Sequence, residues 1–360
     1  MRLHLSRLED GLRSDVYKQR LRVGWAIIIP WLVARGVNIN TWADDSVSVN
    51  QLLSDFVNEM FVAKVALWRV KHAVLAVQTH WFNLRYNIPR AWDAIRSWQL
   101  SITKSNRTPC PLLVVKAIFG VGLSWGLEDS GLAHFIIPLI ILIRVGFWCL
   151  LRPGEMLQLT VGDILFHNDV AVITIRQPKN RRYFGRSQFA VLRDVPSVLW
   201  LKWLCKDLPP SVRLFPSNAN VFRKFFKLLL EKLGASGLGI SPAGLRPGGC
   251  THYFLDGVAV ATLRFLGRWA SDSSLNCYIQ EAMSVLVLAQ MGPELRGHSV
   301  AIVDQSKFAW LSPPSTSWLH TFNRRSQWRH FQRKSSSRPK FSRTSPRMQT
   351  PFSKVQPRLQ

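Results

Sequence analysis

Residues 131–151 read GLAHFIIPLIILIRVGFWCLL, and this run limits the possible folds more than any other stretch of the chain. It is about as long as a bilayer span of ~20 residues. It is not a clean span, because Arg144 sits inside it, Pro138 interrupts it, and Arg152 and Glu155 follow at once. A charge near the middle of a span is costly. A helix that is apolar on every side belongs instead in the middle of a large core. The expectation is a soluble domain wrapped around this helix, with no membrane involved. The chain has 360 residues, enough for one to three domains, and a 47% hydrophobic share is enough to fill real cores.

Charge narrows the partner. There are 47 Lys and Arg against 21 Asp and Glu, a formal net charge of +26. So large an excess points to a polyanionic partner, most commonly nucleic acid. A solubilising or targeting charge is the plainer alternative. From Thr321 onward there are eleven Lys and Arg and no Asp or Glu. Ser, Pro and Gln fill the gaps, so this segment reads as a disordered basic tail that binds DNA or serves as a nuclear address. The five cysteines, Cys110, Cys149, Cys205, Cys250 and Cys277, are odd in number, and none are spaced C-x-x-C. That argues against a disulfide framework and a zinc ribbon, and for reduced thiols inside a cell. The N-terminus, MRLHLSRLEDGLRSDVYKQRL, carries no secretory apolar core. The expected location is intracellular, in the nucleus if the source is eukaryotic.

Apolar residues recur at helical spacing through the first hundred positions. VYKQRLRVGWAIIIPWLVARG stops at Gly36. SVNQLLSDFVNEMFVAKVALWRVKHAVLAVQTHWF follows, with Ser48 or Asn50 as its cap and Leu52, Leu53, Phe56, Met60, Phe61, Val65 and Leu67 along one face. PRAWDAIRSWQLS predicts a third helix with Pro89 in its first turn. Residues 1–100 thus read as a helical module with a basic surface, and the polar stretch 101–111, SITKSNRTPCP, as a linker. After Asp163 the period changes. VAVITIR and SQFAVLRD are strands joined by a QPKNRR turn. Helical patterns return at VPSVLWLKWLCKDL and NVFRKFFKLLLEKLG. The expected fold is an all-α module, then an α+β, mostly helical domain over 112–295 with a small β-hairpin sheet, then a basic, largely disordered tail over 296–360.

Four pieces of the middle domain carry chemistry. LLRPGEMLQLTVGD ends an apolar helix with Arg152, places Glu155 three residues later and Asp163 eleven after the arginine. Lys179 lies in the hairpin turn. GLRPGGCTHYF sets Arg246 in a Gly-rich entry to a helix. GRWASDSSLNCYI places Trp269 twenty-three residues after Arg246 and Tyr278 nine further on.

These spacings, over about residues 112–283, resemble the catalytic domain of the tyrosine recombinases, the phage integrase family. The helical module resembles that family's core-binding domain in position and composition. The resemblance implies a DNA breaking-and-rejoining fold with no cofactor and no metal. It also implies assembly on DNA as a dimer or tetramer, because strand exchange needs paired sites. Such chains are common in mobile elements. One position departs from the family pattern: Ala243 stands where the family has a histidine that handles protons near the nucleophile. The alternative is therefore a DNA-binding protein on this fold that no longer cuts.

The resemblance assigns roles that the residue chemistry supports. Arg152 and Arg246 would hold the non-bridging oxygens of a phosphodiester with planar, permanently charged donors. Glu155 would hold a guanidinium from behind, unless Arg152 and Glu155 are merely a helix-end ion pair. Tyr278 would attack phosphorus, forming a 3′-phosphotyrosine and freeing a 5′-hydroxyl without ATP. Its rival is Tyr253, expected in the core. Lys179 would protonate the leaving oxygen, with Arg181 and Arg182 close enough to serve instead. Trp269 would offer its indole N–H to a phosphate oxygen or simply pack. Asp163 would support the site from behind, and His252 is expected to be structural.

Overall fold

The computed structural model describes residues 13–38, 42–102, 107–178 and 187–313. The chain divides into two compact units, Met1–Ser105 and Asn106–Gln360.

The N-terminal unit is built from α1 (Asp15–Val33), α2 (Ser46–Val62), α3 (Leu67–His80) and α4 (Pro89–Ser101). The cap of α2 differs from the expectation. Asp45 accepts from the N–H groups of Val47 at 3.0 Å and Ser48 at 3.3 Å. A carboxylate there satisfies two orphan donors and complements the positive helix end. Asn50 instead reaches across to accept the N–H of Ala91 at 3.3 Å, tying α2 to the start of α4. The long apolar run is two helices, because Lys64 takes a left-handed φ of 53° between them. Ile28, Leu32, Leu53, Phe56, Val74 and Ile95 meet in one buried core.

In the C-terminal unit the long apolar run forms α6 (Ser130–Trp148), preceded by α5 (Leu112–Glu128). α6 is long and apolar enough to cross a membrane by composition, and 72% of that window is buried inside the fold. The helix continues through Pro138. Arg144 has no exposed surface. Its Nε donates to the Ser197 hydroxyl at 3.0 Å, one terminal nitrogen donates to the Trp310 carbonyl at 3.0 Å, and the other lies 3.5 Å from Asp194. Its plane also lies 3.7 Å from the centre of the Trp310 ring. Burial pulls its pKa down to about 10, against the opposing pull of Asp194. The charge inside the run is therefore a paired anchor that draws together distant parts of the unit.

The short α7 (Pro153–Met156) leads into an antiparallel sheet of β1 (Ile164–His167), β2 (Val170–Ile175) and β3 (Gln188–Leu192), in the order β1-β2-β3. The expected hairpin is β2–β3, with Ile173 opposite Ala190, and β1 adds an outer strand with Ile164 opposite Ile173. On β2, Ala171, Ile173 and Ile175 face the core while the residues between them are half-exposed. Helices α8 (Val195–Cys205) and α9 (Ala219–Leu233) follow where the pattern places them.

Helix α10 (Leu245–Leu255) carries Arg246 and then Pro-Gly-Gly. A Cβ on Gly248 would lie 2.0 Å from the Cys110 carbonyl oxygen, and one on Gly249 2.2 Å from that of Phe147. The two glycines let α10 touch the backbone of both the segment before α5 and the end of α6. After α11 (Val260–Leu266) and α12 (Asp272–Asn276), the chain continues as α13 (Glu281–Gln290), α14 (Gly292–Gln305) and α15 (Lys307–Leu311).

A tail beginning at residue 296 is therefore corrected, since regular structure runs to Leu311. Ile302, Val303, Ala309 and Trp310 pack against the main core, and the Trp200 indole N–H donates to the Ala309 carbonyl at 2.7 Å. The basic segment from Thr321 lies outside the described residues.

Candidate active site

The end of α6 and the start of α10 create the site. After Trp148 the chain turns through Leu150, whose φ is 50°, and Arg152 caps α7. Glu155 folds back on that cap. One of its oxygens accepts the Arg152 backbone N–H at 2.9 Å, and the other accepts the Arg152 guanidinium at 2.6 Å.

Glu155 is 5% exposed and serves three arginines. Arg268 reaches it at 3.1 Å and Arg246 at 4.0 Å. Burial pushes the Glu155 carboxyl up, but Arg268 and Arg152 outweigh it and hold it below the usual carboxylate range. Arg246 is 2% exposed and donates to the carbonyls of Leu150 at 2.8 Å and Gly267 at 2.5 Å. Burial, and then the charges of Arg152 and Arg268, pull its pKa below the ordinary arginine range. The Arg246 guanidinium lies 4.5 Å from the Trp269 ring centre and 5.2 Å from that of Tyr278. Those two rings are 4.9 Å apart.

Arg268 is the residue that reading the sequence missed. It is 6% exposed and takes a left-handed φ of 57°. Its donors reach Glu155, the Leu150 carbonyl at 3.2 Å, and the Cys149 carbonyl at 3.3 Å. It shares the Leu150 carbonyl with Arg246 and the Glu155 carboxylate with Arg152. The available signal was the Arg-Trp pair itself, a charge set between Gly267 and a large aromatic; the left-handed turn that points it inward is not legible in residue types.

Tyr278 follows α12. Its backbone N–H donates to Leu275 at 2.7 Å, and its carbonyl accepts from the Thr251 hydroxyl at 3.3 Å. Thr251 lies on α10, so the helix that bears Arg246 also pins the tyrosine's segment. Arg152, Arg246 and Tyr278 line one cavity of about 390 Å³, with Arg107, Arg223 and Ala243 also on its wall. None of its lining residues is Asp, Glu or His. Trp269 is 3% exposed and packs beneath Tyr278 in a small cluster with Leu150, Cys250, Leu263 and Leu275; its indole N–H is buried without a hydrogen-bond partner.

The other expected residues sit elsewhere. Asp163 accepts from the backbone and hydroxyl of Thr160 at 2.9 and 2.8 Å and pairs with Arg176. It ties the start of β1 to the end of β2, and so braces the strand that leads toward Lys179 rather than either site arginine. Lys179, with Arg181 and Arg182, lies outside the described residues. His252 lies 3.3 Å from Asp256 and packs against Phe147 and Trp148. Burial lowers its pKa, Asp256 opposes that shift, and Lys116 adds to it. The Tyr253 hydroxyl donates to the Trp148 carbonyl at 3.0 Å, and burial raises its pKa. Its oxygen is committed to the backbone, in contrast to that of Tyr278. All five cysteines are free thiols, Cys277 alone exposed, and among the described residues no group of three or more His, Cys, Asp or Glu could hold a metal ion.

No family model matches the chain, and no curated protein sequence matches it. Its neighbours among solved structures are tyrosine recombinases and integrases. A XerH site-specific recombinase bound to palindromic difH substrate is 14% identical, covers 69% of this chain and 72% of that one, and has a TM-score of 0.44. The Tn1549 transposon integrase in complex with transposon right end DNA is 12% identical, with coverage of 74% and 98% and a TM-score of 0.46. A lambda integrase dimer bound to a COC′ core site is 15% identical, with coverage of 78% and 96% and a TM-score of 0.47. With identities this low and TM-scores below 0.5, the chemistry rests on the residues of this chain alone.

Proposed function

We propose that this protein breaks and rejoins double-stranded DNA through a covalent 3′-phosphotyrosine on Tyr278. The observation that carries the reading is the meeting of Arg152, Arg246 and Tyr278 on one acid-free cavity, although they come from widely separated parts of the sequence. A phosphodiester repels nucleophiles until its charge is neutralised. Two fixed guanidiniums, held by backbone carbonyls and Glu155, are preorganised to stabilise the charge that grows in the transition state. Tyr278 gives its phenolic proton to water, and its oxygen forms the new bond to phosphorus as the bond to the 5′ oxygen breaks. Lys179 gives that oxygen its proton, and the 5′-hydroxyl is freed. Rejoining reverses the step, because the phosphotyrosine conserves the bond. The reaction calls for no cofactor and no metal. A net charge of +26 supplies the attraction for DNA. Exchange of strands would pair two or four copies on DNA, and recombination, integration or mobility of a DNA element is the process this serves.

A second reading is supported by Ala243, which offers no proton acceptor where the resemblance expects a histidine. On that reading the chain binds DNA and does not cut. A nicked suicide substrate tests both: the covalent protein–DNA adduct should form with the parent and vanish in Tyr278→Phe. Binding without an adduct on any nicked substrate would favour the second reading.

A further inference from the structure

The cavity carries more positive charge than one phosphate can use. Four arginines line it, Arg107, Arg152, Arg223 and Arg246, and no carboxylate does. Behind the wall, Glu155 is engaged by Arg152 and Arg268, with Arg246 at 4.0 Å. Arg107 and Arg223 have no such counter-charge among the described residues: Arg223 is exposed and donates to the neutral Asn220 side-chain oxygen at 2.8 Å, and Arg107 forms no ion pair there. Both belong to the C-terminal unit. Arg223 lies on α9, one of whose faces is sunk in the core through Phe222, Phe225 and Phe226. Arg107 begins the segment whose Cys110 N–H donates to the Gly244 carbonyl at 2.9 Å, at the threshold of α10. Ala243 shares the cavity wall with all four arginines, and its small side chain takes up little of the space.

We infer that Arg107 and Arg223 form a second phosphate subsite, which holds the phosphate next to the scissile one on the same DNA strand. The inference rests on the proposed function, in that Arg152 and Arg246 take the scissile phosphate. One phosphodiester brings one negative charge. A continuous strand brings another for every ~3.4 Å of helix axis, which suits a set of guanidiniums spread over one cavity. The subsite makes the cavity selective for a polynucleotide over a single phosphate or a mononucleotide. It also positions the scissile phosphate from its neighbour, a contribution made by charge and reach where Ala243 gives none.

The test is a double-mutant cycle between protein and DNA. Arg107→Gln and Arg223→Gln are compared with the parent on nicked duplexes in which one phosphate at a time, on either side of the scissile position, is a neutral methylphosphonate. Equilibrium binding is measured in a Tyr278→Phe background, and adduct formation with Tyr278 intact. Both arginines are exposed, so the variants should melt with the parent. At one neighbouring position the parent should lose about tenfold in affinity on neutralisation, the scale of one charged hydrogen bond. Each variant should lose less than the parent there, and Arg107→Gln combined with Arg223→Gln less than about twofold, because both partners are then gone. Equal losses for parent and variants at every neighbouring phosphate would overturn the subsite. Adduct formation without coupling removes the subsite and leaves the cutting reaction. Coupling in binding with no adduct on any substrate removes the cutting reaction and leaves the subsite.

Discussion

Glu155→Gln keeps the shape of the side chain and removes the one negative charge that three guanidiniums share. Arg246 and Arg268 are 2% and 6% exposed, so neither can turn to water when that charge is gone. Removing one partner of a buried ion pair costs about 3–5 kcal/mol. The amide still accepts one hydrogen bond, which places the expected loss near the lower figure, ~3 kcal/mol. In a domain of this size each kcal/mol is worth about 2–4 °C, so the melting temperature should fall by about 6–12 °C. The acid dependence has a definite sign. The Glu155 carboxyl is held below its ordinary value in the folded protein. Its stabilisation is therefore complete above the ordinary glutamate range and is lost as the pH falls through the lowered folded value. The parent should lose stability across that acid window more steeply than Glu155→Gln, and the two melting curves should converge. Thermal melts followed by circular dichroism, at neutral pH and in steps through the acid range, measure both effects. A variant that melts within about 1 °C of the parent at neutral pH would refute the claim that Glu155 balances the buried arginines.

Three further outcomes are expected. Arg246→Lys keeps the charge and loses the fork that reaches both Leu150 and Gly267, so single-turnover cleavage should slow by ~10²-fold or more; cleavage at the parent rate would remove this residue from the site. Deleting residues 321–360 removes eleven Lys and Arg, and a salt titration should show weaker binding with a slope shallower by ~0.9 for each phosphate no longer neutralised; an unchanged slope would show that the tail does not touch DNA. Tyr253→Phe should cost about 1 kcal/mol in a denaturant titration by freeing the Trp148 carbonyl, and should leave adduct formation intact; loss of the adduct there would mean that Tyr253 is the nucleophile.

Much of the fold is legible because its signals are local. The all-round apolar run, with a charge and a proline inside it, reads as a central helix, and Val170–Ile175 with Gln188–Leu192 alternate as a hairpin should. What stayed hidden depends on interactions between distant residues. Asp45 outcompetes Ser48 as a cap through geometry upstream of any apolar signal. β1 is short, and its exposed Leu165 blurs the alternation. α15 is held by Arg144 and Trp200, whose partners at Trp310 and Ala309 lie more than a hundred residues away. At the site, the family resemblance carried by the spacings pointed to Arg152, Arg246, Trp269 and Tyr278 as neighbours. It could not show that Asp163 pairs with Arg176, nor that Arg268 turns inward through a left-handed residue to share its acceptors with both other arginines.

The central claim is that Tyr278 becomes joined to DNA. Peptide mapping by mass spectrometry after incubation with a nicked suicide duplex tests it directly. The account predicts a single nucleotide-modified peptide containing Tyr278, formed by the parent and absent from Tyr278→Phe, while the DNA affinity of the two proteins stays close. Modification at any other residue, or no adduct on any nicked duplex that the parent binds, would contradict it.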